Sequence, residues 1–135
     1  MDLGLNGKVA MITGASRGLG RAMAQALAVE GVRLSLCARG AEALEHATAE
    51  FGKAGAQVMA HPGDVNDAAA MQAWTDATVN EFGGIDILVN NAGGARQGVL
   101  AQLTEEAWRQ AFELNFFSAV RLSRLCAIEN FAATR

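Results

Sequence analysis

Several residue types that commonly carry chemistry are absent or scarce in this chain. It contains no tyrosine, one proline and two cysteines among its 135 residues. Cys37 and Cys126 lie far apart in apolar surroundings and match no metal-ligand or redox spacing, so we expect reduced, buried thiols and no metal site. Lysines and arginines form no cluster and the formal net charge is −3, which argues against nucleic acid as a partner.

Long apolar runs are missing too. No stretch is long enough to span a bilayer, and the amino terminus lacks the cationic start and apolar run of a signal peptide. We therefore expect a cytoplasmic protein with no membrane partner. Apolar residues nevertheless make up 51% of the chain and charged residues 19%, which argues against disorder and predicts a single domain, residues 1–135, with a hydrophobic core.

What the chain does contain is an alternation of short apolar runs and helix-favouring stretches. We predict strands at Val9–Thr13, Arg33–Ala38, Gln57–Ala60 and Ile85–Asn90. We predict helices at Arg17–Glu30, Ala41–Ala54 and Asn66–Phe82, a fourth from Glu105 onwards, and one continuous helix over Glu113–Arg135. Asn66 or Asp64 is the expected cap of the third helix, and Thr104 that of the fourth.

This order of elements predicts the fold class. Strands alternating with helices are typical of βαβ units, so we expect an α/β fold: a Rossmann-like, doubly wound parallel sheet of about four strands with flanking helices. The last apolar strand has no predicted neighbour on its outer side, although such strands normally lie inside a sheet. We therefore expect the sheet to be incomplete.

A glycine-rich loop, Thr13–Gly20, joins the first predicted strand to the first helix. Gly14, Gly18 and Gly20 follow a G-x-x-x-G-x-G spacing, which differs from the G-x-G-x-x-G fingerprint and lacks the Lys-Ser/Thr of a P-loop. Backbone N–H groups at a helix N-terminus bind phosphate, and glycine lets a ligand approach closely. The loop therefore indicates a phosphate site, with an ordinary tight turn as the alternative. A methyltransferase loop fits less well, because such loops usually follow an acidic residue and space their glycines more tightly.

Three further segments follow this loop in a fixed order. Asp64–Val65 comes after the third predicted strand, Asn90–Gly93 after the fourth, and Asn115 lies in the last helix. Together with Thr13–Gly20, this set resembles the short-chain dehydrogenase/reductase family, and the resemblance extends to about Leu125. It implies an oxidoreductase that transfers a hydride between a nicotinamide cofactor and a carbonyl or alcohol carbon.

The resemblance also implies a role for each segment. The implied cofactor-binding residues of these segments are Gly14, Ser16, Arg17, Gly18, Leu19, Gly20, Asp64, Val65, Asn91, Ala92 and Gly93. In the family the glycine loop accommodates the pyrophosphate, the residue matching Asp64 accepts a hydrogen bond from the adenine amino group, and the one matching Val65 offers its backbone. The segment matching Asn91 and its neighbours runs beside the cofactor ribose, and the asparagine matching Asn115 holds a water linked to the catalytic lysine. A helix cap at Asp64 and a structural role for Asn90 and Asn91 remain alternatives.

The end of the second strand bears on the choice of cofactor. In dinucleotide-binding folds that prefer NAD, an acidic residue there binds the ribose 2′-hydroxyl. Here the strand is followed by Arg39, with no acid until Glu42. Arg39 and Arg17 suit the doubly charged 2′-phosphate, so we favour NADP(H) over NAD(H). Two solvated surface arginines are the alternative.

The lack of tyrosine bears on catalysis. The family uses a serine, and a tyrosine as general acid/base beside a lysine, in a Tyr-x-x-x-Lys pattern beyond the helix that carries Asn115. This chain offers only Lys8 and Lys53, which lie in the wrong elements. Asn115 is therefore the only predicted catalytic residue, and we expect no turnover by this chain.

Two explanations of that gap stay open. The chain is either the cofactor-binding front half of a reductase or dehydrogenase of small-molecule carbonyls and alcohols, or a non-catalytic nucleotide-binding or interaction protein. Phe112, Phe116 and Val120 share one face of the last helix. The resemblance implies a homo-oligomer, since family dimers and tetramers commonly use this helix, but a core-packing face explains the same side chains equally well.

Overall fold

The described part of the chain, residues 1–133 of this computed structural model, is built from four parallel strands and five α-helices. The strands are β1 (Val9–Thr13), β2 (Arg33–Ala38), β3 (Val58–Pro62) and β4 (Ile87–Val89). The helices are α1 (Gly18–Val29), α2 (Ala41–Lys53), α3 (Ala68–Phe82), α4 (Glu105–Phe112) and α5 (Ser118–Ala133). A short 3-10 helix, Leu100–Gln102, precedes α4, and a π-helix, Glu113–Phe117, joins α4 to α5.

The strand order is β3-β2-β1-β4, and every neighbouring pair is parallel. Met11 in the centre of β1 pairs with Ser35 of β2 on one side and Leu88 of β4 on the other. The chain thus builds outwards from β1 to β3 and then crosses to the other side of β1 to place β4. The Rossmann-like α/β prediction is confirmed, and so is the incomplete sheet.

The two faces of the sheet carry separate hydrophobic clusters. On one face, Leu34 and Leu36 of β2 pack with α1 and α2 through Ala24, Leu44 and Phe51. On the other face, the cluster joins Met11 of β1 to α3 and α5; its buried members are Met11, Cys37, Val65, Met71, Trp74, Ile85, Leu122 and Cys126. Alternate residues of a strand point to opposite faces, so β2 contributes to both clusters.

The predicted bounds of β1 and β2 are confirmed, whereas those of the outer strands are corrected. The strand predicted at Gln57–Ala60 begins and ends later, because the register pairs Ala38 with Pro62. Proline is tolerated there since β3 is an edge strand. The strand predicted at Ile85–Asn90 shortens to β4, because it pairs with only three residues of β1, Ala10–Ile12.

Of the two predicted helix caps, that of α3 is wrong and that of α4 is confirmed. Asn66 and Asp64 do not cap α3; Asp67 does, and its side chain accepts a hydrogen bond from the Ala70 N–H at 3.0 Å. Thr104 caps α4 as predicted, accepting from the Ala107 N–H at 3.2 Å. The last helix is not continuous in α form, since the π-helix interrupts it, and residues 134–135 of that prediction lie outside the described residues.

Within residues 1–133, no helix combines the length and apolarity needed to cross a membrane. In the same part of the chain, no three His, Cys, Asp or Glu side chains come together as a metal site.

Candidate functional site

A cavity of about 550 Å³ lies where the carboxyl ends of the four strands meet the following loops. We call it the carboxyl-end cavity; of the predicted cofactor residues, it is lined by Gly14, Ser16, Arg17, Gly18, Leu19, Arg39, Asp64, Val65, Asn91, Ala92 and Gly93. Ligands of open α/β sheets bind at this edge, next to the point where the strand order reverses. Gly20 and Asn115 do not line it. The structure therefore brings together residues that the sequence separates by up to six helices and strands.

A second cavity, of about 440 Å³, lies at the opposite edge of the sheet. It is lined by residues that precede β1, β2 and β3, such as Asn6, Gly31 and Gln57. None of the predicted site residues lines it, so the carboxyl-end cavity is the candidate site.

The three glycines of the loop serve different geometric needs. Gly14 and Gly18 have φ values of 64° and 56°, which favour glycine. A Cβ at Gly18 would meet no atom within 4 Å, so this residue leaves open space beside the cavity. A Cβ at Gly20 would collide with the Gly14 carbonyl oxygen and lie 2.5 Å from the Asn91 Nδ2. Gly20 therefore permits α1 to approach the end of β1.

The N-terminus of α1 has no side-chain cap. Arg17 occupies the cap position with extended backbone, and its guanidinium, which has no acceptor atom, makes no cap hydrogen bond. The first N–H groups of a helix have no intrahelical acceptor, and they carry the positive end of the helix dipole. Uncapped N–H groups beside an open glycine suit a diphosphate, so the residues present fit a dinucleotide.

The loop after β4 is held against the end of β1 by Thr13 and Asn91. Thr13 Oγ1 accepts hydrogen bonds from the backbone N–H groups of Asn91 and Ala92, each at 2.9 Å. The Asn91 side chain donates to the carbonyl oxygens of Thr13, at 3.1 Å, and Gly14, at 3.2 Å. Asn91 thus has a structural role at the cavity wall, whereas Asn90 donates to Ser123 of α5 at 3.3 Å.

Thr13 is the residue that sequence reasoning missed. The sequence places it at the end of the first strand and the start of the glycine loop, but it is also buried, and its hydroxyl accepts hydrogen bonds from a loop 78 and 79 residues further along the chain. A buried threonine at the last strand position, just before the glycines, was the available signal.

The loop after β3 presents Asp64 and Val65 to the cavity. One Asp64 carboxylate oxygen, Oδ1, accepts from the Asn66 N–H at 2.9 Å, which forms a local turn before α3. The helix-cap alternative for Asp64 is therefore wrong. The Val65 side chain is buried, and its carbonyl oxygen accepts from Arg121 of α5 at 3.0 Å.

The charged groups at the cavity are two arginines and one aspartate. Arg17 and Arg39 are exposed, and among the described residues neither takes part in an ion pair. Asp64 follows β3, and in the sheet β2 lies between β3 and β1, the strand that leads into the glycine loop. A dianion placed beside Arg17 and Arg39 would therefore meet uncompensated positive charge.

The two cysteines are buried and free, as predicted. Burial raises the pKa of the Cys37 thiol to about 12, with a smaller contribution from Asp64. The pKa of Cys126 rises to about 11 for the same reason, with Glu129 contributing. Although Cys37 lines the carboxyl-end cavity, it stays a neutral thiol near neutral pH and is a poor nucleophile.

Asn115 lies in the π-helix and is tied to the loop after β4. Its Nδ2 donates to the carbonyl oxygens of Gly94, at 2.6 Å, and Ala111, at 2.8 Å, while its Oδ1 accepts from the Gly94 N–H at 3.0 Å. Both lysines, Lys8 before β1 and Lys53 at the end of α2, lie at the other edge of the sheet. The carboxyl-end cavity therefore has no lysine beside it.

This arrangement agrees with comparisons to known proteins. A sequence profile described as short chain dehydrogenase matches residues 8–132. The 2,3-dihydro-2,3-dihydroxybenzoate dehydrogenase of Bacillus subtilis is 38% identical over 121 residues, which cover 90% of this chain and 46% of that protein.

Solved structures agree as well. L-sorbose reductase from Gluconobacter frateurii, complexed with NADPH and L-sorbose, has a TM-score of 0.91 and 37% identity, covering 96% of this chain and 49% of that one. A short-chain dehydrogenase/reductase from Burkholderia phymatum, in complex with NAD, has a TM-score of 0.88 and 35% identity, covering 93% and 44%. The chain spans about half the length of these relatives. It belongs to the short-chain dehydrogenase family of oxidoreductases.

Proposed function

We propose that this chain binds NADP(H) in the carboxyl-end cavity, as the cofactor-binding part of a short-chain carbonyl reductase or alcohol dehydrogenase. The observation that carries the proposal is one cavity that receives the loops after all four strands and lies at the uncapped N-terminus of α1. A bound nicotinamide supplies the hydride that is exchanged with a carbonyl or alcohol carbon.

The chain's own residues divide the work of binding. The first-turn N–H groups of α1, beside Gly18, would bind the diphosphate. Asp64 keeps one carboxylate oxygen in its local turn, and the other would accept from the adenine amino group. The loop from Asn91 to Gly93, anchored on Thr13, would support the ribose on the nicotinamide side.

The preference for NADP(H) over NAD(H) rests on Arg17 and Arg39. Both line the cavity without an ion-pair partner in the described residues, and no acidic residue lies between Arg39 and Glu42. Two guanidinium groups stabilise a 2′-phosphate, whereas a carboxylate at the same place would repel it. One of the two structural relatives is complexed with NADPH and the other with NAD, so similarity to them favours neither cofactor. The proposed preference of this chain therefore rests on Arg17 and Arg39.

We also propose that this chain does not turn over substrate by itself. It has no tyrosine to act as general acid/base, and neither lysine lies at the cavity. Asn115 is committed to Gly94 and Ala111, which suits positioning of the loop rather than proton transfer. The alternative of a non-catalytic nucleotide-binding protein predicts the same binding by this chain.

The test is calorimetric titration of the chain with NADPH and NADH. Arg39→Asp should raise the Kd for NADPH about 30-fold, because a charge-assisted contact is replaced by a repulsive one, and leave NADH within about threefold. Arg124→Asp is the matched control, since Arg124 is an exposed arginine of α5 that does not line the cavity. Equal losses for both cofactors would refute the role of Arg39, and NADPH oxidation with a carbonyl substrate would refute the lack of turnover.

The homo-oligomer is part of the proposal. Phe112, Phe116 and Val120 are 55%, 54% and 40% exposed, so the core-packing interpretation of this face is wrong. Trp108 and Phe117 extend the exposed apolar surface. Contiguous exposed apolar side chains mark association surfaces. Analytical ultracentrifugation should show a dimer or larger species that Phe116→Asp dissociates; an unchanged mass would contradict it.

A single domain over residues 1–135 and a cytoplasmic location stay predictions.

A further inference from the structure

Arg121 of α5 donates hydrogen bonds to two groups that belong to different parts of the molecule. Its Nη1 donates to the Val65 carbonyl oxygen at 3.0 Å, and its Nη2 to Glu113 Oε1 at 2.9 Å. The Arg121 side chain is 26% exposed, so the guanidinium is partly shielded from water. One side chain therefore joins the loop after β3 to the first residue of the π-helix.

The direction of the side chain explains how this is possible. Long side chains of a helix point back towards its N-terminus, so Arg121 lies over the turn that precedes it. Glu113 is eight residues earlier, and the contact spans the whole π-helix, Glu113–Phe117, including Asn115. Arginine suits the position because its planar guanidinium reaches two acceptors at once, which the single ammonium of lysine does not.

Of the two groups that Arg121 contacts, the Val65 carbonyl is the one that lies close to the candidate ligand site. Val65 and Asp64 line the carboxyl-end cavity, and the buried Val65 side chain packs against the cluster of α3 and α5. The remainder of the loop is held locally: the Gly63 N–H donates to the Ala38 carbonyl oxygen at 3.0 Å, and the Asp67 N–H to that of Asp64 at 2.9 Å. Arg121 connects this wall to α5 and to the segment that carries Asn115.

We propose that Arg121 is a positioning residue that sets the place of Asp64 and Val65 at the adenine side of the cavity. The inference rests on the proposed cofactor function. With Arg121 in place, Val65 stays docked and the neighbouring Asp64 carboxylate stays where it accepts from an adenine amino group. Without Arg121, the Val65 carbonyl loses its donor and Glu113 its counter-ion, so the loop shifts and discrimination for adenine falls.

The test compares two ligands that differ only at the base. NADPH carries an adenine amino group, and reduced nicotinamide hypoxanthine dinucleotide phosphate carries a carbonyl oxygen in its place. Wild-type protein should prefer NADPH about tenfold, because the Asp64 carboxylate meets no donor in the second ligand. Arg121→Met should reduce that preference to about twofold, and Arg121→Lys, which keeps the positive charge and can donate to one of the two acceptors, should restore part of it.

Controls separate positioning from general destabilisation. Arg124→Met changes an exposed arginine of the same helix and should leave the preference unchanged. Glu113→Gln keeps an acceptor for Arg121 and should cost less discrimination than Arg121→Met. Titrations at 10 °C, with thermal unfolding measured in parallel, keep every variant folded; a purely structural role would lower Tm without changing the base preference.

The outcomes distinguish this inference from the proposed function. If Arg121→Met binds NADPH with unaltered base preference, or if the wild type binds both ligands without a base preference, Arg121 is not a positioning residue. The proposed cofactor binding remains supported in either case. If the wild type binds neither ligand, the proposed function is wrong and this inference with it. Loss of preference in Arg121→Met with recovery in Arg121→Lys supports the inference.

Discussion

The two faces of the sheet are filled by different means. The face under α1 and α2 is filled by an apolar cluster, with Leu34 and Leu36 of β2 against Leu44 and Phe51 of α2. The face under α3 and α5 contains a closed chain of hydrogen bonds in addition to its apolar cluster. Trp74 Nε1 donates to Ser35 Oγ at 2.8 Å, Ser35 and Thr78 share a bond of 2.7 Å, and Thr78 Oγ1 donates to the Trp74 carbonyl oxygen at 2.8 Å.

This difference separates two ways of specifying a core. Apolar packing stabilises in proportion to the area it buries and tolerates some rearrangement. A buried hydrogen-bonded network permits one arrangement, because any shift leaves a polar group without a partner. Both cysteines and the Arg121 contact to Val65 also lie on the α3 and α5 side. The hydrogen-bonded face, under α3 and α5, is therefore the one that contacts the loop after β3 at the carboxyl-end cavity.

The largest effect should come from a truncation on the apolar face. Leu34 is fully buried there, and Leu34→Ala removes three heavy atoms and leaves a cavity. We expect a loss of about 3 kcal/mol in the free energy of unfolding, measured by urea denaturation with Trp74 fluorescence as the signal. Leu100→Ala is the control, since Leu100 is 76% exposed and should change almost nothing. A loss no larger than that of the control would contradict the packing account.

A smaller effect should follow from breaking the hydrogen-bonded network. Ser35→Ala leaves the buried Trp74 N–H without its acceptor and should cost about 2 kcal/mol. A double-mutant cycle with Thr78→Val should give a coupling energy of about 1 kcal/mol, because both substitutions disrupt the same chain of bonds. Strictly additive losses would mean that the three side chains act independently, and the contrast between the faces would lose its basis.

The effect that is smallest near neutral pH, and grows only above pH 9, concerns the two thiols. The folded pKa values, about 12 for Cys37 and about 11 for Cys126, exceed the ordinary value of 9.0, so the folded state keeps these protons when the unfolded state has lost them. Their contribution to stability is complete below pH 9 and declines as the pH rises from 9 towards 11 and 12. Urea midpoints between pH 8.5 and 10.5 should fall less in a Cys37→Ala, Cys126→Ala double variant. An identical decline in both proteins would show that the thiols do not contribute.

Local patterns were sufficient for much of the fold. The apolar runs at Val9–Thr13 and Arg33–Ala38 predicted β1 and β2 at their observed bounds, since a strand buried on both faces reads as a continuous apolar run. Thr104 was recognisable as a cap because capping depends on residues three apart. The errors lie at the edges of the sheet, where the register with β2 and β1 decides the length of β3 and β4.

Distant contacts were not predictable in the same way. Thr13 binds a loop 78 residues away, and Arg121 binds a carbonyl 56 residues before it. The π-helix around Asn115 is a single wider turn between α4 and α5. Its sequence has no periodicity that distinguishes it from the α-helices on either side. Such features depend on which elements become neighbours, and spacing along the chain does not contain that information.

The order of residue types along the chain was thus enough to predict the alternation of strands and helices, to identify the family, and to recognise the segments that line the cavity. It also shows directly that the chain has no tyrosine. These predictions depend on local propensity and on short motifs. The folded structure decided that Asn91 and Thr13 hold the loop after β4 at the cavity, that Asp67 rather than Asp64 caps α3, and that Arg121 links the loop after β3 to the π-helix. Hydrogen bonds act over about 3 Å, so residues far apart in sequence acquire these roles only when the fold places them together.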